Sequence, residues 1–167
     1  MIRIAITGPE SSGKTTLANE LAIKTKGSWI PEFAREFLNC LNRPYTKDDL
    51  DTIAKGQLEA WEAAPESKIQ FCDTEMLVLK VWSDFKFGTS SVFIMEAINK
   101  QQFDHYFLCK PDIIWEEDPL REHPEQREEL FELYLAELIN RNLPFTVISG
   151  SLKERVDTCL QIVQIPN

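Results

Sequence analysis

Across 167 residues, 43% of them hydrophobic, the chain carries a formal charge of −9 from 27 acidic against 18 basic side chains. That length and apolar content suit one domain spanning 1–167, and the acidic balance argues against a nucleic-acid partner, because phosphate-backbone binding needs Lys and Arg to displace counterions. Cys40, Cys72, Cys109 and Cys159 lie far apart without a C-x-x-C pair, and with only His105 and His123 beside them they indicate neither a zinc cluster nor a disulfide framework. No apolar run approaches about 18 residues and the chain opens on a strand-like run, so a cytoplasmic protein without membrane contact is expected.

The first apolar run, Arg3 to Thr7, reads as a buried strand leading into Gly8-Pro9-Glu10-Ser11-Ser12-Gly13-Lys14-Thr15-Thr16. This fits G-x-x-x-x-G-K-[ST], a pattern that arises by chance about once in 30,000 windows, which makes an ordinary turn a poor alternative. Gly8 and Gly13 let the backbone wrap closely around phosphate, and the N–H groups from Glu10, Ser11 and Ser12 through Thr16 form an anion nest at a helix N-terminus. Lys14 supplies a cation for the β and γ phosphates, and Thr15 supplies a hydroxyl to a phosphate-bridging Mg²⁺. ATP and Mg²⁺ are the implied cofactors. Leu17 with Leu21 and Ala18 with Ala22, at i, i+4, predict a sheet-packed helix over Lys14 to Lys26.

Ser28 to Pro31 predicts a second strand. Beyond it, Glu32, Phe33, Arg35 and Glu36 read as an acceptor wall opposite the phosphate loop, as in-line transfer requires; the alternative is a surface Glu32–Arg35 ion pair. Leu50, Ile53, Ala54, Gln57, Leu58 and Trp61 define a helical face, with Thr46 as N-cap and Asp49 at its third position. The third strand, Lys68 to Asp73, ends in a carboxylate that serves Mg²⁺ or accepts the proton of an attacking hydroxyl; the alternative, compatible with either, is an N-cap for a helix predicted from Thr74 to Gly88. A shorter helix, Ser91 to Gln102, and a fourth strand, His105 to Lys110, follow.

The charged, proline-punctuated stretch around 116–127 reads as a lid from which Arg121 and Arg127 close over the transferring phosphoryl group, with a solvated charge run as the alternative. His123 reads as an ordinary surface residue. A helix is expected from Pro124 to Arg141, then a fifth strand, Phe145 to Ser149. Gly150 either allows close approach of adenine or is a turn glycine, and Arg155 either packs on the base or decorates the last helix, whose capping box is Ser151 and Glu154. Short apolar runs alternating with helical patterns predict an α/β three-layer P-loop NTPase fold, a five-stranded parallel sheet flanked by helices, with a small lid.

With these residues in hand, the chain resembles the ribosylnicotinamide kinase domain of NadR-type proteins, in the P-loop kinase and AAA-like ATPase group, here as a stand-alone domain. The likeness is carried by Gly8 to Thr15, Pro31-Glu32-Phe33-Ala34-Arg35-Glu36, Ile53-Ala54-Lys55-Gly56-Gln57, Cys72-Asp73-Thr74, Pro111-Asp112-Ile113-Ile114-Trp115, and Asp118 to Arg121 with Arg127. It implies ATP- and Mg²⁺-dependent transfer of a γ-phosphoryl group to the 5′-hydroxyl of a small-molecule nucleoside, ribosylnicotinamide, giving nicotinamide mononucleotide. The alternatives are a kinase for another nucleoside or small metabolite, and an ATP-binding regulatory switch. Glu32 and Asp73 both stand as general base. No aromatic clearly matches those expected to stack on the nicotinamide ring; Phe33, Phe37, Tyr45 and Trp61 are the candidates.

Overall fold

Alternation along the strands decides which helices cover which face. The computed structural model describes residues 1–163. Its strands β1 (Ile2–Thr7), β2 (Ser28–Ile30), β3 (Ile69–Asp73), β4 (His105–Cys109) and β5 (Phe145–Ile148) form one parallel sheet in the order β2-β3-β1-β4-β5. Ile4, Ile6, Ile69, Phe71, Phe107, Cys109 and Ile148 point to one face, where Leu17, Ala18 and Leu21 of α1 (Lys14–Thr25) and Val156 and Cys159 of α7 (Leu152–Ile162) cover them. The intervening residues Ala5, Cys72, Tyr106 and Leu108 point to the other face. There they meet α2 (Phe33–Cys40), α3 (Lys47–Glu62), α4 (Met76–Phe87), α5 (Val92–Lys100) and α6 (Arg127–Asn140). A fully buried leucine or isoleucine, such as Leu17 or Ile6, contributes about 1.5–3 kcal/mol. The expected three-layer fold and its five strands are borne out. Among the described residues no helix is long and apolar enough to cross a membrane.

The strand order reverses direction about β1, with β2 and β3 on one side and β4 and β5 on the other. A crevice opens beyond the carboxyl ends of the strands at such a point. Register places Asp73 beside Ile6 and Leu108 beside Thr7, so the ends of β3 and β4 flank the start of the Gly8 loop.

Element boundaries differ from expectation where backbone chemistry intervenes. Strand β2 stops at Ile30, before a proline that has no N–H to continue the ladder. The helix expected from Thr74 begins at Met76, because Thr74 is left-handed (φ 85°) and the N-cap is Glu75, whose carboxylate accepts the Leu77 N–H at 2.6 Å. Asp73 therefore caps nothing. The helix expected from Pro124 begins at Arg127, since residues 123–126 form a turn with the Gln126 N–H on the His123 carbonyl.

Candidate active site

Gly8 opens the phosphate loop at φ 132°, and the Cβ of any other residue there would lie 2.7 Å from the Cys109 carbonyl oxygen. Only glycine fits that backbone path beside β4. At the far end Gly13, left-handed at φ 81°, is the N-cap of α1 and offers no side-chain cap, and the first turn of α1 contains no acidic residue. The helix thus presents uncapped N–H groups and its positive end to the cavity. The Lys14 Nζ donates to the carbonyls of Gly8 (2.9 Å) and Pro9 (2.8 Å), and the Ser12 hydroxyl also donates to Pro9 (2.8 Å).

The cavity is lined by the whole run from Gly8 to Thr16, by Glu32 and Arg35 from the α2 side, and by Arg121 from the lid segment. Its back wall is apolar, with Leu38, Val78, Trp82, Phe85 and Tyr134. The aromatic surface there comes from α4 and α6, not from the candidates named in the sequence. Trp61 is buried against Phe103 with centroids 5.3 Å apart, Phe33 and Phe37 pack on each other, and Tyr45 sits edge-on to Trp82.

Glu32 is held on the rim by backbone clamps on both sides. The buried Gln57 accepts the Phe33 N–H at 2.8 Å and donates to the Pro31 carbonyl at 3.2 Å. Gly56 leaves room for the Phe33 ring, where an added Cβ would come within 2.2 Å of it. Phe33 is thereby turned onto α3 and away from the cavity, and Glu36 is exposed outside it, so neither lines the cavity. Gly56→Ala is expected to lower stability by about 1–3 kcal/mol through overpacking. A helix-propensity gain of about 0.5–1 kcal/mol offsets part of this. Urea denaturation checks it; a stabilised variant would contradict the packing described.

Burial raises the Glu32 pKa above its ordinary value; the Lys14 charge opposes this and Asp73 adds to it. Although the residue as a whole is only partly buried, its carboxyl lies in a protein-lined recess where desolvation is the largest effect. Asp73 is more deeply placed, 1% exposed, and lies behind the cavity wall. Neither of its oxygens has a hydrogen-bond partner, and the neighbouring Thr74 hydroxyl is likewise unpaired. Desolvation pushes the Asp73 pKa up, partly offset by the nearby Thr15 hydroxyl, which falls outside hydrogen-bonding geometry, and by Lys14 and Arg35. A buried carboxylate without a partner is costly unless something pairs with it. Its hard oxygens, beside the exposed Thr15 side chain, suit Mg²⁺, which takes one or two protein ligands and fills its shell with water and phosphate. Among the described residues no cluster of three or more His, Cys, Asp or Glu offers a fuller protein cage.

The segment 116–127 lies across the phosphate loop and is fastened to it. The Glu10 carboxylate accepts the N–H groups of Glu122 (2.9 Å) and His123 (3.1 Å), so the side chain of Glu10 anchors the lid while the residue stays in the cavity lining. The Ser11 hydroxyl accepts from the Glu116 N–H and from Arg121. Asp118, its pKa lowered by the Leu120 N–H and by Arg35, pairs with Arg35 at 2.8 Å. Arg121 lines the cavity, whereas Arg127 does not; it donates to the carbonyls of Ser11 and Ile113 and stacks on Trp115. His123, read as a surface residue, lines the cavity edge-on to Phe85. Gly150 lies outside the cavity, its N–H on Asp112 and its φ of 88° set by the turn before α7.

Two charged side chains are buried where the sequence patterns do not mark burial. Glu75 is fully buried and ties the Thr7 hydroxyl (3.0 Å), the start of α4 and Gln101 (3.0 Å) together. Arg155, 2% exposed, does not decorate α7 and does not line the cavity; it donates to the Ser12 carbonyl of the phosphate loop.

A family model described as an AAA domain matches residues 3–155. The chain belongs to this AAA domain family. The likeness to NadR-type proteins is also borne out. The trifunctional NAD biosynthesis/regulator protein NadR of Escherichia coli K12 is 28% identical over 172 aligned positions, covering 96% of this chain and 42% of NadR. Its Salmonella typhimurium counterpart is 30% identical over 126 positions, covering 71% of this chain and 30% of NadR. The chain thus spans less than half the length of the curated relatives it matches. Among solved structures, a NadR protein in complex with NR superposes with a TM-score of 0.80 at 21% identity, covering 99% of this chain and 53% of that one. Deoxyadenosine kinase from M. mycoides with bound dATP gives 0.67 at 15%, covering 98% and 99%. Both share the fold of this AAA domain.

Proposed function

We propose that this AAA domain is a nucleoside kinase that moves the γ-phosphoryl group of ATP to the 5′-hydroxyl of ribosylnicotinamide. The observation that carries the reading is one cavity with a phosphate loop on one wall, the carboxylate of Glu32 on another, and an aromatic recess behind. A pure nucleotide switch has no need of the last two. The loop N–H groups, from Gly8 to Thr16, and Lys14 hold the phosphates. Glu32, on the rim, takes the proton of the attacking hydroxyl as its oxygen bonds to phosphorus and the bond to the ADP oxygen breaks. Arg121 lies over the phosphates and stabilises their charge, while the fastened lid excludes water. Thr15 and Asp73 would hold Mg²⁺, which when bound neutralises charge on the phosphates.

Two features favour ribosylnicotinamide over an uncharged nucleoside. The nicotinamide ring of that riboside is a cation, and Trp82, Tyr134 and Glu32 line the same cavity, which brings aromatic side chains and a carboxylate together. The NadR relatives add independent support. A coupled assay of ADP release over ribosylnicotinamide, deoxynucleosides and sugar acids tests the reading. The highest kcat/KM is expected with ribosylnicotinamide. Another nucleoside ahead of it overturns the substrate alone, and ATP binding without turnover of any acceptor overturns the kinase.

A further inference from the structure

Behind the phosphate loop, on the face opposite the cavity, Arg155 of α7 makes four contacts with one guanidinium. Its Nε donates to the Gly150 carbonyl (2.8 Å), its Nη1 to the Ser12 carbonyl (2.7 Å), and its Nη2 to the Lys110 carbonyl (2.9 Å) and to Asp112. Asp112 in turn accepts the Gly150 N–H at 2.7 Å. The guanidinium is almost wholly buried, and a Cβ on Gly13 would lie 3.7 Å from it.

A peptide unit is planar and trans, so its carbonyl and the following N–H point in opposite directions. Pinning the Ser12 oxygen from the α7 side therefore aims the Gly13 N–H into the cavity, where the anion nest requires it. Gly13 has no Cβ to hold its own left-handed conformation, so that direction has to be imposed from outside. The positive charge under Gly13 adds to the field that α1 directs at the same point. Stability alone is a weak reason for this arrangement, since a buried ion pair is often no better than an apolar replacement. The planar fork of arginine, which a lysine lacks, matches three carbonyls and a carboxylate at once.

We propose that Arg155, oriented by Asp112, is a positioning residue that sets the phosphate-binding conformation of the loop through the Ser12–Gly13 peptide. This rests on nucleotide binding at the loop, and not on the identity of the acceptor.

The test is calorimetric binding of ATP and of inorganic tripolyphosphate, both with Mg²⁺, to the wild type, Arg155→Lys, Asp112→Asn and the double variant. Circular dichroism selects the folded proteins. Arg155→Lys is expected to raise both dissociation constants by the same factor, about tenfold or more, because the defect lies in the nest that both ligands share. Asp112→Asn, on a partly exposed side chain, should act in the same direction, and the double variant should be no worse than Arg155→Lys, as coupled neighbours are non-additive. If Arg155→Lys fails to fold, Asp112→Asn carries the comparison. Unchanged constants, or weakening of ATP without tripolyphosphate, overturn the proposal, the second pointing to a contact with the base. A wild type that binds neither ligand overturns the nucleotide reading and this inference together.

Discussion

Glu32→Gln is expected to lower kcat with ribosylnicotinamide by about 10²–10⁴-fold, the range for loss of a positioned general base, with ATP affinity within about threefold of wild type. The side chain lines the cavity and its neighbours Pro31 and Phe33 are clamped by Gln57, so the amide should occupy the same place without the proton affinity. Because burial raises the Glu32 pKa, its basic form is lost as pH falls through a value above the ordinary 4.5. The acid limb of the wild-type kcat/KM profile should therefore lie above that value, and in Glu32→Gln it should disappear. The effect on stability has the opposite sign. A carboxyl whose folded pKa is raised binds protons more tightly in the folded state, so its ionisation opposes folding as pH rises. Glu32→Gln should then match or exceed the wild type in stability at neutral pH. Asp73→Asn provides the contrast. Its carboxylate lies behind the wall, beside Thr15 and Lys14, so its loss should raise the Mg²⁺ concentration needed for half-maximal rate and leave the acid limb in place. If instead Asp73→Asn removed the limb and Glu32→Gln retained it, the two assignments would have to be exchanged.

The parts of this site legible in the sequence are those whose chemistry is local. The phosphate loop requires glycines at fixed spacing, a strand before and a helix after, all within about twenty residues, and the chain places them so. The strands were equally readable, because burial of the inner strands on both faces leaves short apolar runs, and strand ends are marked by Pro31, Asp73 and Lys110. What could not be read depends on partners distant in sequence. Phe33 is turned from the cavity by a space at Gly56, and Glu10 serves the lid through two N–H groups more than 110 residues away. Arg155 read as a base contact or a helix-surface residue because nothing nearby in sequence reveals the carbonyls of Ser12 and Lys110 that it binds. The aromatic recess escaped for a related reason. Trp82 and Phe85 share the apolar spacing of α4, and periodicity alone does not separate residues that face the core from those that face a cavity beside it. Glu75 carried one faint signal, an acidic residue directly before an apolar helical run, where a helix N-cap is expected.

Lys14→Ala is expected to reduce kcat by about 10²–10³-fold, equivalent to about 2.7–4 kcal/mol, the scale for deleting one preorganised donor to transition-state charge. The side chain lines the cavity and its ammonium is held between the Gly8 and Pro9 carbonyls, beside the loop N–H groups proposed to bind the phosphates. Those two hydrogen bonds also support the fold, so part of any loss has to be separated as instability. Each contributes about 0.5–1.5 kcal/mol net, and more where the donor is charged, so a stability loss of about 1–3 kcal/mol is expected in urea. A domain of ordinary stability, about 5–15 kcal/mol, stays folded after such a loss, and the fraction of native protein cannot account for a hundredfold drop in rate. The comparison is therefore decisive when kcat is measured on variant protein shown to be folded by its denaturation curve. If Lys14 acts on phosphoryl transfer, kcat falls while KM for the acceptor stays near wild type, because the proposed acceptor position is against Glu32 and the aromatic recess. Activity within tenfold of wild type, or a loss that follows the unfolded fraction across a urea series, would remove Lys14 from the chemistry and leave it a brace for the loop.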